Sequence, residues 1–182
     1  MTDEILQFLG SETEVSRFKD QIFQMEEQKI RVVKNSILPL FLKIINLASN
    51  NTGYHREAQT ADNAVSIIAR NIEGQVAQFA RYKKAISREL IAIRGMKAMQ
   101  SNAAVIQTQI KAIDEIDTLL RQQMIALENL KKALNADEVE NIASLLAILE
   151  RKTDAERVIL TQVHDLKVQI PKQNELRNVH AA

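Results

Sequence analysis

The sequence contains no cysteine and no tryptophan, and only 4 glycines and 2 prolines among its 182 residues. Without cysteine there is no disulfide framework, no thiolate nucleophile and no cysteine-ligated metal. Because glycine and proline are the usual turn formers, a chain with so few of them must be built from long elements. Hydrophobic residues make up 46% of the chain and charged residues 26%, which is too apolar for intrinsic disorder.

Groups able to do chemistry are also scarce. The three histidines lie outside Glu-x-x-His, His-x-x-x-His and His-Glu-x-x-His spacings, which removes the common di-iron and zinc sites of helices. The four glycines are isolated, so no glycine-rich phosphate loop is present. We interpret the acidic residues 114–117 as a solvated or salt-bridged face and residues 137–140 as a helix start. We therefore expect no enzyme activity, cofactor, metal or small-molecule substrate.

No long hydrophobic run is evident. The most apolar stretch, residues 37–48, is interrupted by Pro39, Lys43 and Asn46, whereas a membrane-spanning helix needs about 20 apolar residues. The acidic N-terminus lacks the basic region of a signal peptide. We therefore expect a cytoplasmic protein with no transmembrane helix, although the absence of cysteine also permits export or a virion.

The strongest positive signal is a heptad repeat of apolar residues. Such columns are typical of helices that pack lengthwise against other helices. We therefore predict an all-α fold, in which about four long antiparallel helices form an elongated helical bundle or coiled coil. The two columns are Val65, Ile72, Phe79, Ile86 and Ile93, followed by Met99, Ile106, Ile113, Leu120, Leu127 and Leu134.

The predicted organisation is a single elongated domain over residues 1–170. Capping boxes at Ser11–Glu14 and Asp137–Glu140 indicate two helix starts, residues 50–53 form the clearest turn, and Pro39 predicts a kink. The predicted elements are a short amphipathic helix over residues 3–9 that ends at Gly10, helices over residues 11–49, 57–100, 102–135 and 137–170, and a polar tail over residues 171–182.

The interior helices leave one structural alternative open. The sequence favours a turn at Gly95–Asn102, with Ser101 or Asn102 as a cap. The apolar rhythm also allows one continuous helix of about 75 residues, roughly 110 Å long. Gly74 and Gly95 each cost about 1 kcal/mol inside a helix, so we expect a neighbouring helix to approach closely there. Glu156 interrupts an apolar stripe, which is typical of a residue that sets helix register.

Charge is distributed unevenly along the chain, although the formal net charge is only +1. Residues 28–111 hold 13 basic and 4 acidic groups, and residues 112–157 hold 6 basic and 10 acidic groups. The first interpretation is electrostatic complementarity between antiparallel helices. The second is a basic face that meets an anionic partner. A basic central region followed by an acidic helical region resembles membrane-remodelling proteins that polymerise through long helical hairpins.

Two functions are therefore expected from the sequence. The first is a non-enzymatic structural or interaction protein that forms homo-oligomers or binds another helical protein, with an assembly interface at Ile5, Phe8, Leu9, Ile37, Leu40, Phe41, Ile44 and Leu47. The alternative is a helical protein that binds a membrane surface or a nucleic acid through phosphate contacts. Its predicted contacts are Lys29, Arg31, Lys34, Arg81, Lys83, Lys84, Arg88, Arg94 and Lys97. The scarcity of aromatic residues in this basic region argues against base stacking.

Overall fold

The computed structural model describes the backbone of residues 2–166 and the side chains of residues 17–97 and 99–166. Within these residues there is no strand and the chain is 91% helical, which confirms the all-α prediction. The elements are α1 (Thr2–Val32), a π turn (Val33–Ile37), α2 (Leu38–Ser49), α3 (His55–Ile93), a 3-10 turn (Lys97–Met99), α4 (Gln100–Asn135) and α5 (Val139–His164).

The helices form a four-membered antiparallel bundle, in which α1 and α2 together make one continuous rod. This rod packs against α3 on one side and α5 on the other, and α4 lies between α3 and α5. Contacts along α1 fix the directions, because Phe18 meets Tyr82 whereas Phe23 meets Phe79. The helices therefore alternate up and down, as short connections between consecutive helices require.

Both predicted heptad columns lie in the core. Every member of the α3 column and of the α4 column is buried, so these two helices turn one continuous apolar stripe each toward the centre. Burying an aliphatic or aromatic side chain contributes about 1.5–3 kcal/mol relative to leaving it exposed. The columns therefore supply much of the driving force for folding of the bundle. Tertiary packing of this kind stabilises long helices more than the intrinsic helix propensity of their residues does.

The N-terminal boundary differs from the prediction. α1 runs without interruption from Thr2 through Gly10 to Val32, so there is no separate short helix over residues 3–9. Ser11 lies inside the helix and cannot be its cap. A single glycine costs only about 1 kcal/mol in a helix interior, which the length of α1 accommodates.

Pro39 disturbs the first rod on its N-terminal side. Proline has no N–H to donate to the preceding turn, and the five residues of the π turn come just before it. The N–H of Leu38 donates to the carbonyl of Val33, which is the i to i−5 pattern of a π turn. The predicted irregularity is therefore a π turn at Val33–Ile37, after which Pro39 stands in the first turn of α2.

A turn separates α3 from α4, so the continuous-helix alternative is wrong. α3 ends at Ile93, and Gly95 adopts a φ of 91°, a conformation that favours glycine. α4 begins at Gln100, ahead of the predicted start, and no side chain caps it. The predicted capping role of Ser101 or Asn102 is also wrong, because Asn102 is buried and donates its amide N–H to Met99 Sδ.

The turns at the other end of the bundle meet each other. The turn after α2 has Asn51 at a φ of 53°, and the turn after α4 has Asp137 at a φ of 54°. Tyr54 Oη donates a hydrogen bond of 3.2 Å to Asp137 Oδ1. α5 starts at Val139 without a side-chain cap, so the predicted capping box at Asp137–Glu140 does not form. The predicted end of the last helix, residues 167–170, and the tail, residues 171–182, lie outside the described residues.

Candidate functional site

A cluster of charged and amide side chains lies inside the bundle, where α1 meets α4 and α5. Buried positions on α1 continue from Phe23 to Glu26 and Lys29, so the helix directs two charged residues into its core stripe. Gln123 on α4 and Glu156 on α5 complete the cluster, and both are fully buried. Lys29 itself is 3% exposed, so the cluster lies in the interior of the bundle.

Three members of this cluster form a closed hydrogen-bond network. Lys29 Nζ donates to both carboxylate oxygens of Glu156, at 2.5 and 2.8 Å, and to Gln123 Oε1 at 3.0 Å. Gln123 Nε2 donates to Glu156 Oε1 at 3.1 Å and to the Lys152 carbonyl at 3.4 Å. Because a buried charge is costly unless it is paired and hydrogen-bonded, this geometry allows the ion pair to sit inside the bundle.

Glu26 is the less satisfied member of the cluster. Its Oε2 lies 3.2 Å from Lys29 Nζ, but among the described residues neither of its oxygens has a hydrogen-bond partner of good geometry. Burial raises the pKa of Glu26 to about 8, against the opposing attraction of Lys29 and with a further increase from the nearby Glu156 carboxylate. The raised pKa favours the neutral carboxylic acid of Glu26 over its carboxylate, which leaves Lys29 and Glu156 as the charged pair of the cluster.

The cluster can fix the register of the bundle. The interpretation of Glu156 as a residue that sets register stays a prediction; its hydrogen-bond partners lie on α1 and α4. The sequence predicted Lys29 as a contact to an anionic partner. In the structure its ammonium group is already paired in the interior with Glu156, so this prediction is wrong. The sequence did hold a signal for it. Glu26 and Lys29 stand at an i, i+3 spacing where the apolar stripe of α1 changes phase. No group of three or more metal-ligating side chains occurs in the described part of the chain.

The other basic residues that were predicted to contact an anionic partner fall into two classes. Lys34 pairs with Asp154 of α5, and Lys83 pairs with Asp114 of α4 at 2.5 Å. These are the salt bridges between antiparallel helices expected from the uneven charge distribution. The remaining residues are exposed on the surface of the bundle: Arg31, Arg81, Lys84, Arg88, Arg94 and Lys97.

The α3–α4 end of the bundle gathers several of these exposed cations. Arg88, Arg94 and Lys97 lie along the last turn of α3 and the connection to α4. Between them stands Ile91, which at 71% has the most exposed large apolar side chain of the described residues. Tyr82 lies further back and is buried, and it donates a hydrogen bond of 3.0 Å to Gln109. This end therefore combines positive charge with one protruding aliphatic group and no exposed aromatic ring.

Of the eight residues of the predicted assembly interface, three are buried, two are partly buried and three have side chains outside the described residues. Ile37, Phe41 and Ile44 are buried within the single chain, where they pack as part of its core, so these three side chains are not an interface in this structure. Leu40 and Leu47 are partly buried. The predicted N-terminal contacts Ile5, Phe8 and Leu9 belong to α1, but their side chains lie outside the described residues. The apolar residues on nearly all sides of α2 therefore reflect its packing against both α3 and α5 within one chain.

A groove runs along the outside of the bundle between α1 and α3 and encloses about 360 Å³. Met25 and Val32 on its α1 wall are 41% and 38% exposed. Gly74 lies on its α3 wall, and no heavy atom of the described chain stands within 4 Å of a Cβ built there. The predicted close approach of a neighbouring helix at Gly74 is therefore wrong within one chain. The lining residues are Met25, Gln28, Lys29, Val32, Ile68, Arg70, Asn71, Gly74, Gln75 and Gln78.

Gln75 forms part of the floor of this groove. Its side chain is only 4% exposed, yet no donor among the described side chains or backbone groups reaches its Oε1 atom. Buried amide oxygens are nearly always hydrogen-bonded, so this acceptor is an exception. No sequence pattern indicated this unsatisfied acceptor, because a glutamine in a helix is expected on the surface.

Two other depressions lie on the described part of the surface. One of about 420 Å³ lies between α1 and α5, where Arg31 and Arg157 are accompanied by the acidic Glu27. The other, of about 650 Å³, lies at the end of the bundle beside Tyr54 and Asp137. Both are open and mix opposite charges or neutral groups, and neither brings together side chains in a catalytic arrangement.

The segment Arg17–Ser49 is long and apolar enough to cross a membrane by length and composition, which the sequence analysis did not anticipate. The most apolar window of this segment is 28% buried in the bundle. A core helix of a soluble protein and a signal sequence pass the same test. Comparison with known proteins adds no assignment: no protein-family model, no curated protein and no solved structure matches this chain.

Proposed function

We propose that this protein is a non-enzymatic interaction protein that associates with itself through the outer faces of its helical bundle. The observation that carries this proposal is a set of large aliphatic side chains that are more than half exposed, although the interior is filled by the two heptad columns. They are distributed over four helices, at Leu42, Ile67, Ile91, Ile125 and Val158. Covering such side chains on association removes apolar surface from water, which is favourable.

The arrangement of ionisable groups supports a non-enzymatic role. The most perturbed carboxyl group, Glu26, is enclosed together with Lys29 and Glu156 in the centre of the bundle. A catalytic acid or base has to reach a substrate within hydrogen-bond distance, and the four side chains of this cluster are at most 3% exposed. Structural ion pairs perturb pKa values as active sites do, so the cluster is better explained by its contribution to helix register.

Self-association is tested by light scattering on the purified chain over a wide concentration range. We expect a mass that rises above the 20.6 kDa of one chain as concentration increases. Replacing the exposed aliphatic residues with serine, one at a time, should lower this mass at the positions that lie in the interface. A constant monomer mass at every concentration would overturn the proposal.

A second function is favoured by the α3–α4 end of the bundle, which combines exposed cations with the protruding Ile91. We propose it as a binding surface for an anionic lipid bilayer. Basic residues near an anionic membrane contribute about 1 kcal/mol each, and an exposed aliphatic side chain between them can enter the interface. Among the described side chains, none forms a salt bridge with Arg88, Arg94 or Lys97, and all three are exposed.

Vesicle sedimentation tests this second function. We expect binding to vesicles that contain phosphatidylserine, weaker binding at high salt, and loss of binding in the triple variant Arg88→Glu, Arg94→Glu, Lys97→Glu. The matched control has the same change in net charge at exposed cations elsewhere: Arg56→Glu, Lys132→Glu, Arg151→Glu. Equal losses in both triple variants, or binding to neutral vesicles alone, would remove the proposal. Preferential binding to nucleic acid would replace the lipid surface with another polyanion.

A further inference from the structure

We infer that the two buried carboxyl groups of Glu26 and Glu156 hold one proton between them, and that release of this proton opens the interface between α1 and α5. The inference concerns a single chain and does not depend on self-association. Three features of the structure support it: the excess of carboxyl groups over cations in the buried cluster, the number of hydrogen-bond donors there, and the polar character of the α1–α5 interface.

The cluster contains one more carboxyl group than it has cations. Glu26 and Glu156 are fully buried, Lys29 is 3% exposed, and the fourth member, Gln123, is neutral. With both carboxyl groups ionised, the cluster would carry a net negative charge in the interior of the bundle. Such a charge is costly in a buried site unless it is paired and hydrogen-bonded, so the closed bundle favours a proton on one of the two carboxyl groups.

The hydrogen-bond donors of the cluster are all in use. The ammonium group of Lys29 has three N–H groups, and Gln123 Oε1 and both oxygens of Glu156 accept them. The amide of Gln123 donates to Glu156 Oε1 and to the Lys152 carbonyl. No donor remains for Glu26, whose two oxygens have no hydrogen-bond partner among the described residues. A proton on Glu26 changes this, because its O–H group can donate to the neighbouring Glu156 carboxylate.

The groups that surround Glu26 favour the protonated form. Burial raises the pKa of Glu26 to about 8, Lys29 on the same helix opposes this rise, and Glu156 of α5 adds to it. Within the cluster, α4 contributes a neutral amide. On α3, the charged residues of the stretch that borders α1 here, Arg70 and Glu73, are exposed. The proton is therefore released as the pH rises through the pKa of Glu26.

The interface between α1 and α5 is the contact that such a release weakens. Beyond the cluster, α1 is linked to α5 by Lys34, which pairs with Asp154, and by Lys19, whose Nζ donates to a carbonyl just after α5 at 2.6 Å. His164 of α5 lies against Phe23. The aromatic contacts that α1 makes with α3 contain no ionisable carboxyl group: Phe18 with Tyr82 and Phe23 with Phe79. An added negative charge therefore loosens α1 from α5 while these contacts hold it to α3.

A groove on the outside of this interface gives water a route to the cluster. It encloses about 420 Å³ between α1 and α5, and the buried side chains of Ile30 and Leu160 are part of its lining. Ile30 stands one helical turn after Glu26, and Leu160 stands one turn after Glu156. Separation of these two apolar side chains would admit water to the ionised carboxyl groups, which stabilises the open form at high pH.

The absence of cysteine from the chain allows spin labels to be placed at chosen pairs of positions. The first pair is Val32→Cys on α1 and Val158→Cys on α5, which are 38% and 55% exposed. Pulsed electron paramagnetic resonance measures the distance between the two labels. We expect one distance at pH 6. At pH 9.5 we expect a population that is longer by at least about 5 Å, roughly half the 8–10 Å that separates the axes of packed helices.

Two controls assign this change to the cluster. The matched pair Ile67→Cys on α3 and Ile125→Cys on α4 reports on an interface that is remote from Glu26, and both positions are exposed. Its distance should be the same at the two pH values. In the Glu26→Gln background the α1–α5 distance should also stay unchanged, because an amide has no proton to release. Glu27→Gln alters an exposed neighbour and should leave the lengthening intact.

The outcomes are distinct from one another. Lengthening of the α1–α5 distance at pH 9.5, with constant helical content by circular dichroism and no change in Glu26→Gln, supports the inference. An unchanged α1–α5 distance, or equal lengthening in Glu26→Gln, overturns it. Equal lengthening of the α3–α4 pair, or a loss of helical content, shows that the whole bundle unfolds, and overturns the opening of one interface.

Discussion

The two sides of α1 differ in how completely their polar groups are satisfied. Toward α4 and α5, the ammonium group of Lys29 meets oxygens of Gln123 and Glu156 in a fully buried network. Toward α3, within the same few turns, the amide oxygen of Gln75 has no donor in the described chain, and Gly74 faces open space. The network of Lys29, Gln123 and Glu156 is therefore closed within a single molecule, although the neighbouring Glu26 is not hydrogen-bonded. On the α3 side, Gln75 Oε1 and Gly74 have no partner among the described residues.

The largest expected loss of stability comes from removing the cation of the buried Lys29–Glu156 pair. Lys29→Met leaves the Glu156 carboxylate buried without its cation, and breaking a buried pair in this way costs about 3–5 kcal/mol. Urea denaturation at pH 7 measures this loss.

The double variant Lys29→Met, Glu156→Leu is its control. Replacing both charges with apolar groups should recover most of the lost stability. If Lys29→Met is as stable as the wild type, the charged network does not close this side of α1.

A core substitution compares the two sides without involving charge. Leu120 on α4 is fully buried, so Leu120→Ala should cost about 2–5 kcal/mol. Val32→Ala on the open side should cost less than about 0.5 kcal/mol at concentrations where the protein is monomeric. Denaturant midpoints of the two variants provide the comparison, and similar losses would show that the groove is not open in solution.

The pH dependence of stability tests the state of Glu26. Its pKa is about 8 in the folded protein and about 4.3 in an unfolded chain, so the folded state holds the extra proton between these values. Stability is therefore greatest below pH 4.3 for this group and decreases as pH rises toward 8.

Glu26→Gln should abolish this decrease, because an amide does not titrate. Glu27→Gln, which changes the exposed neighbouring residue, is the matched control. This variant should retain the decrease in stability with rising pH. Thermal denaturation of the three proteins between pH 5 and 9 measures the slopes. Parallel slopes for wild type and Glu26→Gln would show that Glu26 is ionised in the folded protein.

The smallest expected effect is a gain on the open side. Gly74→Ala should stabilise the monomer by about 0.5–1 kcal/mol, because alanine is the better helix former and the added methyl group meets nothing. Ala77→Gly, at an exposed position of the same helix, should lower stability by a similar amount. Denaturation at low protein concentration measures both. A loss of stability in the Gly74→Ala monomer would mean that the groove is narrower than described.

The long helices and their inward faces were predictable from sequence because both depend on local periodicity. The columns that begin at Val65 and Met99 repeat every seven residues, and only one face of a helix can bury such a column. The turn at Gly95 was also predicted from local residue types, namely a glycine followed by the possible helix caps Ser101 and Asn102. Helix ends were predicted less well, since neither Ser11 nor Asp137 caps a helix in the structure, although both have the residue types of a cap.

The candidate sites depend on contacts that no local pattern contains. Lys29 resembles any surface lysine until Glu156, 127 residues further on, is brought to its side. Ile37, Phe41 and Ile44 suggested an interface because the sequence does not show that α3 and α5 both cover them. No feature of the sequence marks Gln75, because an amide oxygen without a hydrogen-bond donor is recognised only when the surrounding atoms are known.

By itself, the sequence determined that this chain forms long helices, which faces of α3 and α4 are apolar, and where the main turns lie, because these properties follow from the spacing of side chains along one helix. Only the tertiary structure decided which charges are buried, which apolar residues remain outside and where the groove opens, because each of these depends on the distance between atoms on different helices.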